Sequence, residues 1–171
     1  AGPFKGDPEV VMAAVRENGR ALQFADEIVN KGGDDAKEVV MAALREDGIA
    51  LEYADQFKED REVVMVAVRQ DGWALQYADQ FKEDREVVMA AVREDGWALL
   101  YAGKFKEDEK VVIAAVQEYG RALQFADKFK GKSEVVLRAA KNDIKSLQFA
   151  DKNIFKDTIF MKKLFSHYAL Y

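Results

Sequence analysis

Apolar and polar positions recur along the chain with a period of 24 residues. Within one period, apolar residues fall at Val63, Val64, Ala67 and Val68, with Met65 beside them. That spacing predicts an amphipathic helix with a wide apolar stripe. A buried strand is the rival for such a run, but the alanines and the flanking residues argue against it. Asp60 is placed as an N-cap, with Glu62 in the first turn. Asp7-Pro8-Glu9 is the same start with proline at the first helical position. Arg69 falls in the last turn, and Gly72 is predicted to end the helix, as are Gly19, Gly48, Gly96 and Gly120. A second stripe follows at Ala74, Leu75, Ala78 and Phe81, flanked by Tyr77, before a polar Lys-Glu-Asp segment. Each unit therefore reads as two short helices of about 9–11 residues, roughly 13–16 Å long, too short to survive alone.

Anchored on the Glu-Val-Val triplet, units start at Glu9, Glu38, Glu62, Glu86, Lys110 and Glu134, and a degenerate one starts at Thr158. The first unit carries five extra residues, expected in a loop around Lys31–Asp35. Wide stripes mean that each unit is buried against a neighbour on both sides. The fold class is all-α, an α-solenoid of two-helix repeats, and residues 1–171 form one repeat domain. Leucine-rich repeats share this range of periods, but their Leu-x-x-Leu-x-Leu pattern is missing here. Small alanines such as Ala67 and Ala78 are expected where helices approach closely.

The segment Glu-Val-Val-Met-Ala-Ala-Val-Arg-Glu-Asp-Gly-Trp-Ala-Leu at 86–99, followed by Tyr101-Ala102, resembles a family of tandem helical repeats. That family is found in bacterial, protist and algal proteins and is named as a domain of unknown function. The resemblance runs from Asp7 to about Asp157 and implies a helical scaffold without catalytic residues. The sixth unit departs from the pattern, with Ile144 in place of the glycine and Lys145-Ser146 after it.

Charge adds an asymmetry. The formal net charge of −5 divides into −11 over residues 1–127 and +6 over residues 128–171. The basic C-terminal end is suited to an acidic surface, while overall acidity argues against duplex nucleic acid as the main ligand. No apolar run exceeds six residues, so no transmembrane segment is expected. The terminal segment Thr158–Tyr171 matches the first helix of a unit, with Ile159, Phe160, Met161 and Leu164 at its apolar places. Lys162 and Lys163 make it a cap. Phe165, Tyr168 and Tyr171 are too apolar for a free tail and are expected to fold back on the last unit or to dock elsewhere. The first residue is Ala1 rather than Met, which fits processing or excision.

Little points to chemistry. The chain has no cysteine, one histidine, three serines and one threonine, so most nucleophilic and metal-assisted reactions lack their parts. The Lys-Glu-Asp clusters at 58–60, 82–84 and 106–108 precede helix starts and read as caps rather than metal sites. His167 has no second ligand in reach along the sequence. Gly32-Gly33 is followed by no Lys-Ser/Thr and makes no phosphate loop. No catalytic, cofactor-binding or metal residue is assigned, and no cofactor is expected. The rows Arg16, Arg45, Arg69, Arg93 and Asp26, Asp55, Asp79, Asp127, Asp151 are expected to form salt bridges and caps.

The expected function is a non-enzymatic protein-interaction or assembly scaffold, such as one subunit of a larger complex, with an unidentified protein partner. A ligand-binding or catalytic module, or a domain excised from a larger protein, is the alternative. The candidate partner surface lies in the third and fourth units. One position there is variable, reading Arg20, Ile49, Trp73, Trp97, Arg121 and Lys145. Its tolerance of arginine and lysine places it toward solvent. Leu100 and Gly103 replace polar residues of other units, so Trp73, Trp97, Leu100 and Gly103 form the expected contact patch.

Overall fold

The structure is a computed structural model that describes residues 6–168. It is an all-α repeat solenoid, and no strand occurs among the described residues. The α-helices are α1 (Pro8–Glu17), α2 (Asp26–Lys31), α3 (Gly33–Glu46), α4 (Arg61–Gln70), α5 (Arg85–Glu94), α6 (Glu109–Glu118), α7 (Ser133–Asn142) and α8 (Thr158–Tyr168). Apart from α2, which belongs to the second half of the first unit, each is the first half of a unit. Each packs on the equivalent helix of the next layer. Val63, Val64, Ala67 and Val68 are fully buried, as are their counterparts in α5 and α6. Ala78 is fully buried too. The expected N-caps are present: Asp60 Oδ1 accepts from the backbone N–H of Glu62 at 2.9 Å and of Val63 at 3.4 Å.

From the second unit to the sixth, the second half is not an α-helix. It is a pair of 3₁₀ helices, such as Gly72–Tyr77 and Asp79–Phe81. Leu75, Ala78 and Phe81 stand three residues apart, which is the 3₁₀ period rather than 3.6. The backbone follows that period: Ala78 N–H donates to Leu75 O, Phe81 N–H to Ala78 O, and Asp84 N–H to Phe81 O. Residues three apart eclipse in a 3₁₀ helix, so Gly72, Leu75 and Ala78 all face the core.

The glycines act differently from the expected left-handed helix ends. Asp71, in extended conformation (φ −150°, ψ 114°), closes α4 and caps the next 3₁₀ helix in one step. Gly72 follows it, buried against the next layer. A Cβ at Gly72 would come within 3.0 Å of the Ala91 carbonyl oxygen, and Gly19, Gly48, Gly96 and Gly120 meet Ala43, Ala67, Ala115 and Ala139 in the same way. Those carbonyls also accept the N–H that closes their own helix, for example Asp95 N–H to Ala91 O at 2.9 Å.

Two further differences arise at the ends. The five extra residues of the first unit do not form a loop. They let α3 start a turn early, at Gly33, directly after the left-handed Gly32. In the last unit Ala150 is extended (ψ 152°), where Ala54 and Ala102 have ψ of 1° and 8°. The chain leaves the stack there, and Asp151 N–H turns back to Lys130 O. The cap helix α8 is therefore set off from the column. Phe160 and Leu164 are buried, Lys162 and Lys163 are exposed, and Ile159 is 65% exposed rather than apolar filling. Ile144, at the end of the regular column, is 46% exposed.

Gly72→Ala should therefore cost about 1–3 kcal/mol through overpacking against backbone. Gly131→Ala, whose Cβ meets nothing closer than 3.7 Å, should be near neutral. Urea denaturation of the two variants checks this, and equal midpoints would remove the close-approach explanation.

Candidate functional site

The variable position after each glycine joins layers. Arg20 Nε donates to Asp47 Oδ2 at 2.8 Å, Trp73 Nε1 to Asp95 Oδ2 at 2.7 Å, and Arg121 Nε to Asp143 Oδ2 at 2.6 Å. In each case the acceptor is the aspartate that caps the next unit. Trp97 meets Tyr119 where Trp73 has Asp95, and the two rings stack at 5.3 Å. Trp73 and Trp97 stack on each other at 5.9 Å, Trp73 is edge-on to Tyr101 at 5.9 Å, and Trp97 meets Phe125 at 5.2 Å. Both indoles are thus half-buried in an aromatic column rather than simply turned to solvent. Arg and Trp share this position because each offers a flat face and an N–H to the layer below.

Leu100, three residues after Trp97, is half-buried. At its position Gln76, Gln124 and Gln148 donate to the carbonyls of Trp73, Arg121 and Lys145. Leucine cannot make that bond, so the fourth unit has a half-buried apolar side chain where its neighbours close on themselves. Gly103 is exposed with φ +50°, at the position where Asp55 has φ +38°. Left-handed backbone accounts for that glycine locally.

Charged residues form a second interlayer ladder that sequence reading missed. Lys37 pairs with Asp60, Arg61 with Asp84 and Arg85 with Asp108, at 2.7–2.8 Å. In the next layer the signs exchange, and Lys132 reaches back to Glu109. The signal was present in the repeat alignment: the residue before the Glu-Val-Val triplet turns acidic in the unit that precedes a basic cap. Glu83 and Glu107 of the Lys-Glu-Asp clusters pair with Lys104 and Lys128. The clusters therefore serve as caps and interlayer pairs. Hydrogen bonds from Lys37, Arg61 and Arg85 hold Asp60, Asp84 and Asp108 below the ordinary aspartate value of 3.8.

The expected arginine row behaves otherwise. Arg16, Arg45, Arg69 and Arg93 are exposed, and none joins an ion pair among the described residues. Arg69 and Arg93 border clefts between successive α-helices, and Arg16 borders one between α1 and α3. One of about 550 Å³ lies between α4 and α5, one of about 510 Å³ between α5 and α6, and one of about 780 Å³ among α6, α7 and α8. From the aspartate row, Asp79 and Asp127 pair locally with Lys82 and Lys130, and Asp151 caps its own 3₁₀ helix. At the C-terminal end, Tyr168 donates to Ala140 O, Phe165 is 63% exposed and Tyr171 lies outside the described residues. His167 is edge-on to Tyr168 at 5.0 Å.

Units alternate in one detail. The 3₁₀ helices Asp55–Glu59 and Gly103–Glu107 have five residues, whereas Asp79–Phe81 and Asp127–Phe129 have three. The structural repeat is thus a pair of units. A family model described as Domain of unknown function (DUF4116) matches residues 37–83 and again 84–130, two units each time and together more than half of the chain. The chain belongs to the DUF4116 family. Its tandem DUF4116 copies carry the Trp73–Trp97 column and the Arg61 and Arg85 ladder. No curated protein and no solved structure was found to match the chain. No helix among the described residues is long and apolar enough to cross a membrane.

Trp97→Ala should remove three ring contacts and lower stability on the order of 2 kcal/mol, read as a drop in melting temperature. The charge ladder makes a pH prediction. Its aspartates are lowered in the folded state, so their contribution is full above pH 3.8 and is lost as the pH falls through the folded values. The doubly substituted Arg61→Ala/Arg85→Ala chain should melt below the parent at pH 7 and converge with it near the acid limit. A gap that persists in strong acid would assign the effect to packing instead.

Proposed function

We propose that this DUF4116 chain is a non-enzymatic protein-interaction scaffold that docks through its C-terminal end. One observation carries the reading. Among the described residues, large exposed apolar side chains occur only in the end units: Val10 and Phe24 in the first, and Ile144, Phe155, Ile159, Phe165 and Tyr168 in the last. The interior layers have none. Apolar side chains gathered beside Lys162 and Lys163 form the kind of surface that marks an interaction site, and the positive charge there favours an acidic partner. The fourth unit supplies a secondary contact, with Leu100 and exposed Gly103 beside the half-buried Trp97 and Trp73. A ligand-binding or catalytic role remains the alternative, for which a cleft among α6, α7 and α8 offers room.

Affinity capture from the native source, followed by mass spectrometry, tests the reading. A stoichiometric protein should be captured by the parent chain and lost by Ile159→Ser/Phe165→Ser, both at exposed positions. Leu100→Gln restores the bond made by Gln76 and should leave melting unchanged while weakening capture. Recovery of a small molecule without a protein would favour the alternative.

A further inference from the structure

The clefts between α4, α5, α6, α7 and α8 form one furrow. The first two share Met89 and Arg93 as walls, and the last two share Gln117. One large apolar residue per layer lines it: Met65, Met89, Ile113 and Leu137. All pack on the core, and all but Met65 keep part of their surface open. The charged groups on its walls sort by pairing. Glu86 is tied to Arg61 and Glu134 to Arg138. Arg69, Arg93, Lys110, Lys141 and Lys163 join no ion pair among the described residues, against two such acids, Glu94 and Glu118. A chain with net charge −5 thus carries a furrow that is apolar at its base and basic at its rims.

We propose that this furrow binds an extended acidic polypeptide segment carrying an apolar side chain at every third residue. The inference rests on the scaffold reading but uses a different face from the C-terminal end. Stacked helices lie about 8–10 Å apart, and a chain in polyproline II conformation advances about 3.1 Å per residue with every third side chain on one face. Three residues therefore span one layer and bring one apolar side chain to each of Met65, Met89, Ile113 and Leu137. Acidic residues between them meet the unpaired cations. Nucleic acid fits less well. No aromatic side chain lines the three clefts to stack on bases, and Glu94 and Glu118 oppose a uniformly anionic backbone.

Fluorescence anisotropy with a labelled 15-residue (Glu-Asp-Leu)₅ peptide tests the assignment. The expected result is saturable binding that Arg69→Glu/Arg93→Glu weakens at least tenfold and Lys145→Glu, outside the furrow, leaves unchanged. Replacing the peptide's leucines with serine should also cost at least tenfold. If the double variant melts lower than the parent, Arg93→Gln takes its place, with a several-fold loss expected. The proposal is overturned by no binding, by equal binding to the variant or to the serine peptide, or by tighter binding of a 15-nucleotide oligouridylate. A native partner lost by Ile159→Ser/Phe165→Ser but kept by Arg69→Glu/Arg93→Glu would leave the scaffold reading standing and overturn the furrow.

Discussion

The stack depends on one close approach, between a glycine at the hinge of each unit and an alanine carbonyl of the next. Gly19, Gly48, Gly72, Gly96 and Gly120 each sit where a Cβ would strike that carbonyl. The alanine keeps its helix near enough for contact, and the carbonyl is fixed because it also closes that helix. Valines and leucines then fill the layer to close packing on both sides of this contact. Where the glycine is replaced, at Ile144, the regular column ends and α8 takes another path.

Polar chemistry in the interior layers is largely used to register one layer on the next. The cap aspartates serve two ends at once, bonding their own helix N-terminus and receiving a cation from the layer before. The residue after each glycine works in the same way on the other side of the stack, through Arg20, Trp73 or Arg121. Exposed pairs of this type are individually weak. Their value lies in repetition and in direction, since each fixes the rotation of one unit against its neighbour. What they leave over, among the described residues, is the pair of surfaces proposed for partners: apolar residues at the ends, and unpaired cations along the α-helical face.

The candidate site was legible only in part. Unusual residues of the fourth unit, Trp97, Leu100 and Gly103, stand out in a repeat alignment because the other units supply the comparison. Their roles do not. Gly103 follows from a left-handed backbone position, and the tryptophans lie in a column whose members come from three layers. The arginine row was visible too, but pairing was expected for it, because a carboxylate within reach across layers cannot be read from a period. Beside Arg69 and Arg93, Glu86 is directed elsewhere, to Arg61.

Periodicity by itself determined the architecture, because a 24-residue unit with a two-sided apolar stripe cannot bury that stripe except against copies of itself. It also placed the caps, which are local hydrogen bonds within three residues. It even held the 3₁₀ signal, in the three-residue spacing of Leu75, Ala78 and Phe81. Tertiary structure decided the rest. The identical segments 55–60 and 79–84 fold differently: Asp55 is left-handed and leads a five-residue 3₁₀ helix, whereas Asp79 leads one of three. Gln56 reaches back to Val29 O, a partner that exists only in the first unit's α2, while Lys82 turns onto Asp79 and Gln76 O. The same residues met different neighbours, and the neighbours set the backbone.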